Sequence, residues 1–173
     1  MLPKFLCAKD SGGPPWIIPE LYDSKAETPI IVTEAPIKAM AITLAGYNAI
    51  GLDGVWCAAN PRNGDDPLRL RPELTSLHLL GRKVYLAFDA DQTTKPEVRQ
   101  ALIRLYLRLS GTGAEVYQLT TWCLEQGKGI DDYLVAQGLE RSAETVGMLI
   151  AAAKPCSGTS FCRHSVAFGY LVW

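Results

Sequence analysis

Two aspartates, Asp89 and Asp91, stand at i and i+2 directly after the apolar run Lys83-Val84-Tyr85-Leu86-Ala87-Phe88. In extended backbone, positions two apart face the same side. Two hard oxygen ligands on one side suit Mg2+, which takes one or two carboxylates and fills its shell with water and phosphate oxygens. Carboxylates rooted in so apolar a run are costly without a cation. A third carboxylate, Glu34, follows Ile30-Ile31-Val32-Thr33 and precedes Pro36. At a strand-to-helix junction it lies near the positive end of the helix dipole. There it can act as a general base or share a metal, and a solvated first-turn carboxylate is the plainer alternative. The third element is Gly127-Lys128-Gly129-Ile130-Asp131-Asp132. Its glycines let the backbone approach a phosphate closely, and Lys128 adds positive charge. Asp131 or Asp132 serves as an outer metal ligand or as a cap for the helix that follows.

These carboxylates lie far apart in sequence, so the elements around them must bring them together. Ile30–Thr33 is β-branched and short, a buried strand. Pro36 to Ala45 is a helix, with Pro36 in its first turn and Gly46 at its end. Asn48 to Leu52 is a second strand, residues 53–66 a loop, and Glu73 to Leu80 a short helix. Lys83–Phe88 is the clearest strand. Pro96 to Leu109 is a helix with apolar residues at Val98, Ala101, Leu102, Leu105 and Leu109. Ala114 to Leu119 is a strand, and Asp131–Gln137 and Ala143–Ala153 are helices. Alternating strands and helices predict an α/β domain over residues 29–153, built on a mostly parallel sheet of about four strands flanked by helices. Ligands of such sheets sit beyond the carboxyl ends of the strands, where Glu34 and Asp89 both fall. Residues 1–28, rich in Gly and Pro, are an irregular lead-in. Residues 154–173 break the pattern and form an irregular or non-native tail, or a strand added to an edge.

The 173 residues suit one domain, and a hydrophobic fraction of 48% argues against global disorder. A net charge of −1 does not advertise a nucleic-acid binder, but a metal-dependent site brings its own positive charge. Five scattered cysteines without a CxxC pair suggest reduced thiols, and no apolar run is long enough to span a membrane. The expected location is the cytoplasm. Cys156, Cys162 and His164 match no structural zinc spacing.

The segments IIVTEAPIKAMAITLAGYNAIGLDGVW, KVYLAFDADQTTKPEVRQALIRLYLRLSGTGAEVYQL and GKGIDDYL, within about residues 29–138, resemble the Toprim domain. That domain is shared by bacterial primases, topoisomerases and certain nucleases. The segments are closest to the Toprim-like domain of plasmid, phage and mobile-element replication proteins, found beside primase or helicase regions. The resemblance implies a Rossmann-like fold and Mg2+ as cofactor, for which Mn2+ can substitute. It implies that Glu34 is the general acid/base and that Asp89 and Asp91 are metal ligands, with Asp131 or Asp132 matching the third acidic motif. The implied partners are DNA or RNA and the primase or helicase domains of a larger replication protein. The reaction would be nucleotidyl transfer or strand cleavage. One departure is Ala35, where primase-type motifs place Gly; another is the lack of a recognisable zinc-binding or helicase module.

Two rivals stand beside this reading. Asp89-Ala90-Asp91-Gln92-Thr93 fits the D-x-D-x-T pattern of haloacid-dehalogenase-like phosphatases, with Asp89 as nucleophile and Thr120 or Thr121 in a later motif. That reading gives Glu34 no role. The other rival is a catalytically inactive Toprim fold that binds a nucleic acid or a protein. Lys38, Arg104 and Arg108 are the candidate nucleic-acid contacts. Lys38 also stands four residues from Glu34, as in a local ion pair, and Arg104 and Arg108 also suit a solvated helix face. Trp56 suits either stacking on a base or plugging the core.

Overall fold

A computed structural model describes residues 13–59, 69–93 and 95–157. The sheet has six strands: β1 (Trp16–Ile17), β2 (Ile30–Thr33), β3 (Ala49–Gly51), β4 (Lys83–Leu86), β5 (Glu115–Gln118) and β6 (Lys154–Pro155). Their spatial order is β1-β3-β2-β4-β5-β6. The four inner strands pair in parallel. Both outer strands pair antiparallel, β1 with β3 and β6 with β5, so the sheet is mixed and larger than the four strands expected. Both additions are two residues long, too short for any hydrophobic period to reveal. β1 lies in the stretch read as irregular lead-in, and β6 opens the stretch read as a tail or as a strand added to an edge, the second of which it is. Residues 158–173 lie outside the described residues.

Five helices complete the fold: α1 (Pro36–Leu44), α2 (Pro72–Thr75), α3 (Pro96–Gly111), α4 (Ile130–Gln137) and α5 (Ser142–Ala152). The first three begin on proline, whose fixed φ and missing N–H suit the first helical position. Strand alternation sends side chains to two cores. Ile30, Val32, Val84, Leu86 and Phe88 meet Leu102, Leu105 and Leu109 of α3 on one face. Ile31, Tyr85 and Ala87 meet Ala39, Ile42, Ile130, Leu134, Val146 and Leu149 of α1, α4 and α5 on the other. No helix among the described residues is long and apolar enough to cross a membrane.

The lead-in is pinned through Arg82, which is fully buried. Its guanidinium donates to the Ser24 carbonyl at 3.0 Å, to the Ser24 hydroxyl at 2.6 Å and to the Lys25 carbonyl. At the other rim, Gly51 lets β3 and α1 touch, because a Cβ there would stand 2.5 Å from the Pro36 Cα.

Candidate functional site

β2 and β4 are neighbours in parallel register, so the residues after each emerge side by side at the carboxyl rim. Glu34 follows β2 and Asp89 lies three residues past β4. Between them stands Lys38, in the first turn of α1. Its ammonium donates to Glu34 Oε1 and to Asp89 Oδ1. All three side chains are largely buried. The local pair expected of Lys38 therefore exists, but it also closes a bridge to a residue 51 positions away. Lys38 lies within the site, not on an open surface where a phosphate backbone would first meet it.

The third acidic segment is stitched to the same place. The Ala90 amide donates to the Lys128 carbonyl at 2.9 Å, and Lys128 Nζ stands 3.2 Å from Asp89 Oδ2. Gly129 makes the approach possible: a Cβ there would meet Asp131 Oδ1 at 2.4 Å and Lys38 Cε at 2.6 Å. The closeness read from these glycines is thus spent on the Lys38 stem. Asp131 Oδ1 is buried without a hydrogen-bond partner among the described residues, as is Glu34 Oε2. Asp132 turns the other way and accepts from the Gly129 amide at 3.3 Å, closing the first turn of α4.

Asp91 departs from the extended geometry that would set it beside Asp89. A 3-10 turn, Ala90–Thr93, begins directly after Asp89 and rotates Asp91 toward Lys95 Nζ, 2.5 Å away. Of the candidate nucleic-acid contacts on α3, Arg104 is exposed and Arg108 is buried, so they do not share a solvated face. Arg108 stands three residues past Leu105, at the margin of the apolar stripe, where its stem packs inward. Trp56 is no core plug: 41% of it remains exposed, with the Arg104 guanidinium 5.2 Å from its ring centroid. Thr120 donates to the Phe88 carbonyl at 2.6 Å and so helps fix the strand end that carries Asp89. Burial pushes the Cys156 thiol up to about 12, and Cys162 and His164 lie outside the described residues.

The two carboxyls differ sharply in proton affinity. Burial, reinforced by the Asp89 carboxylate beside it, pushes Glu34 up to about 8. Partial burial would raise Asp89 too, but the Glu34 carboxyl beside it and the Lys38 ammonium outweigh that and hold it at about 2. Burial would lower Lys38, yet Glu34 and Asp89 prevail and keep its ammonium above the ordinary lysine range. At neutral pH the group is a protonated Glu34, an ionised Asp89 and a charged Lys38.

A stability effect follows. Folded Glu34 binds its proton below about 8, while the unfolded chain binds it only below 4.5. Between those values the native state holds the extra proton, so stability falls as pH rises, by at most about 1.4 kcal/mol per unit. The groups facing Glu34 are Lys38 and Asp89, with Lys128 behind Asp89. Asp89 acts in the opposite sense at lower pH, removing stability as pH drops from 3.8 toward about 2. Thermal denaturation should give a lower midpoint at pH 8 than at pH 5, and Glu34→Gln should flatten the difference. Equal midpoints in the unaltered protein would refute it.

Carboxylate oxygens, two of them buried and unpartnered, have the donor chemistry that Mg2+ prefers. The space between Glu34 and Asp89, however, holds the Lys38 ammonium. Among the described residues no three Asp, Glu, His or Cys side chains gather closely enough to cage an ion. The five-carboxylate set is therefore not assembled. Asp89 and Asp91 stay adjacent in the chain, but each carboxylate is engaged by lysine, Asp89 by Lys38 and Lys128 and Asp91 by Lys95.

A family profile described as "Domain of unknown function (DUF3854)" matches residues 20–141. An uncharacterized protein of Picosynechococcus sp. is 35% identical over 137 residues, covering 75% of this chain and 13% of that protein. The crystal structure of the Aquifex aeolicus primase (zinc-binding and RNA polymerase domains) superimposes with a TM-score of 0.50 at 18% identity, over 75% of this chain and 27% of that one. That likeness is one of fold. The chain spans only a small part of the length of either relative.

Proposed function

Starting from the fact that this chain belongs to the DUF3854 family, we propose that it is a Toprim-type domain acting on nucleic-acid phosphodiesters with Mg2+, as one module of a larger replication protein. The observation that carries the reading is the meeting of Glu34 and Asp89, from two neighbouring strand ends, on Lys38. The primase-like fold and the small share of a longer relative support it.

Asp89 and Asp91 would hold the metal, which when bound would neutralise phosphate oxygens. Glu34 keeps a proton at neutral pH and is therefore the general acid for the departing oxygen. Lys38 holds Oε1 and fixes the orientation of the carboxyl, while Oε2 is buried without a hydrogen-bond partner among the described residues. Lys128, more than half exposed and anchored to Asp89, supplies charge to an incoming phosphate. A phosphatase in which Asp89 attacks phosphorus gives Glu34 no task.

One observation favours a second reading. An ammonium seated between the two carboxylates supplies the neutralisation a metal would otherwise give, as in an inactive fold that only binds. Calorimetric titration with Mn2+ separates the two. The metal-dependent reading expects one Mn2+ per chain, lost in an Asp89→Ala/Asp91→Ala double variant. Absence of Mn2+ binding up to millimolar concentration sinks that reading and leaves the binding module.

A further inference from the structure

We propose that Trp56, backed by Arg104, is a stacking platform for an unpaired nucleobase, so that the substrate crosses the sheet rim as a single strand. This deepens the nucleic-acid reading above and rests on it.

Trp56 belongs to the loop after β3, and the loop is built to hold its ring outward. On one side of Trp56, Val55 packs against the core under α3; on the other, Ala58 is buried in it. The Cys57 amide donates to the Gly54 carbonyl at 3.1 Å, and the Cys57 thiol lies 2.9 Å from the Asp53 carbonyl. The Arg71 amide donates to the Ala58 carbonyl at 3.0 Å. Asp53 accepts from the Gly13 amide at 3.1 Å, tying the loop to the lead-in. With its neighbours drawn inward, the largest apolar side chain of the loop is left 41% exposed. A tryptophan exposed on an anchored loop loses little rotamer freedom when it binds, which is what an aromatic contact requires.

The ring also carries a cation. The Arg104 guanidinium lies 5.2 Å from its centroid, and Arg104 is itself exposed. An indole with a guanidinium against it offers a base a stacking surface and offers the adjacent phosphate a positive charge. Duplex bases are already stacked on each other, so such a surface selects an unpaired base.

The platform is close to the reacting groups. The Gly54 amide donates to the carbonyl of Glu34 at 2.9 Å. Trp56 follows Gly54 by two residues, which reach at most about 7 Å. The Glu34–Lys38–Asp89 group packs on the α1 side of the sheet, and Trp56 with Arg104 on the α3 side. A strand touching both must pass over the rim, where Lys128 and Lys95 are at least about half exposed. A cation–π pin between loop and α3 would be the purely structural alternative, and it would register in stability without registering in affinity.

Fluorescence anisotropy with a labelled thymine dodecamer and with a matching duplex tests the proposal on the full chain. Single-strand binding should exceed duplex binding. Trp56→Ala should weaken it by roughly 5- to 100-fold and leave the weaker duplex binding unchanged. Trp56→Phe should retain most of the affinity. Arg104→Gln, which leaves the loop intact, should weaken it a few-fold and flatten its salt dependence. The proposal is overturned if Trp56→Ala leaves single-strand affinity unchanged, or if the unaltered chain does not prefer the single strand. Mn2+ titration of the same samples keeps the two ideas apart. Normal Mn2+ binding with no effect of Trp56 overturns the platform alone. Trp56-dependent binding of the dodecamer without Mn2+ binding supports the platform and sinks the metal-dependent reading.

Discussion

Asp89→Ala is expected to abolish Mn2+ binding and phosphodiester chemistry together. Asp89 is the residue on which the site converges: one oxygen accepts from Lys38, the other lies 3.2 Å from Lys128, and Glu34 is beside it. Asp91, the other proposed metal ligand, stands outside that convergence and is engaged by Lys95. Loss of a group that merely orients a ligand costs about 10- to 100-fold in metal affinity, and loss of the ligand itself should exceed that. The variant should also change the proton balance. Burial remains the larger influence on Glu34, but the carboxylate that helped raise it is gone while Lys38 stays, so Glu34 should ionise at lower pH. The decline in stability between pH 5 and pH 8 should shrink accordingly. Calorimetry with Mn2+ and thermal denaturation at both pH values report the two effects. Retention of Mn2+ affinity within a few-fold would remove Asp89 from the site.

Lys38→Met should produce the largest loss of stability, and metal should restore part of it. Removing one member of a buried ion pair costs about 3–5 kcal/mol, because the partner charge is left without compensation. Here two carboxyls would face each other across the space the ammonium held. For a chain of this size the midpoint should fall by roughly 10 °C. The same space then opens to an ion, so Mn2+ should bind more tightly than in the unaltered chain and raise the midpoint. A variant whose midpoint and Mn2+ affinity both match the unaltered protein would show that Lys38 does not hold the centre together.

The inner strands, the longer helices and the convergence of Glu34 with Asp89 were legible because each rests on a local pattern, whereas the short helix expected over Glu73–Leu80 stops at Thr75. The run around Val84, the apolar spacing from Ala101 to Leu109 and the prolines at helix starts all act within a few residues. Parallel neighbours then must place their ends at one rim. Lys38 was legible only as far as Glu34, since spacing of four reveals a neighbour on a helix and nothing of a carboxylate 51 residues away. The extended reading of Asp89 and Asp91 failed because no hydrophobic period marks a single 3-10 turn. Arg82 gave no warning of its burial: Gly81-Arg82-Lys83 reads as an ordinary turn until the lead-in carbonyls arrive from 57 and 58 positions away. Trp56 was ambiguous for a related reason. A tryptophan's exposure depends on which of its neighbours the core admits, and here the core took Val55 and Ala58.

The two antiparallel strands lie at opposite margins of the sheet, each joined to it over two residues. Tension drawn along the polypeptide therefore enters at those margins and meets its weakest grip there. β1 and β6 would peel first, as breakaway tabs, while the four inner strands and the Glu34–Lys38–Asp89 group stayed in place.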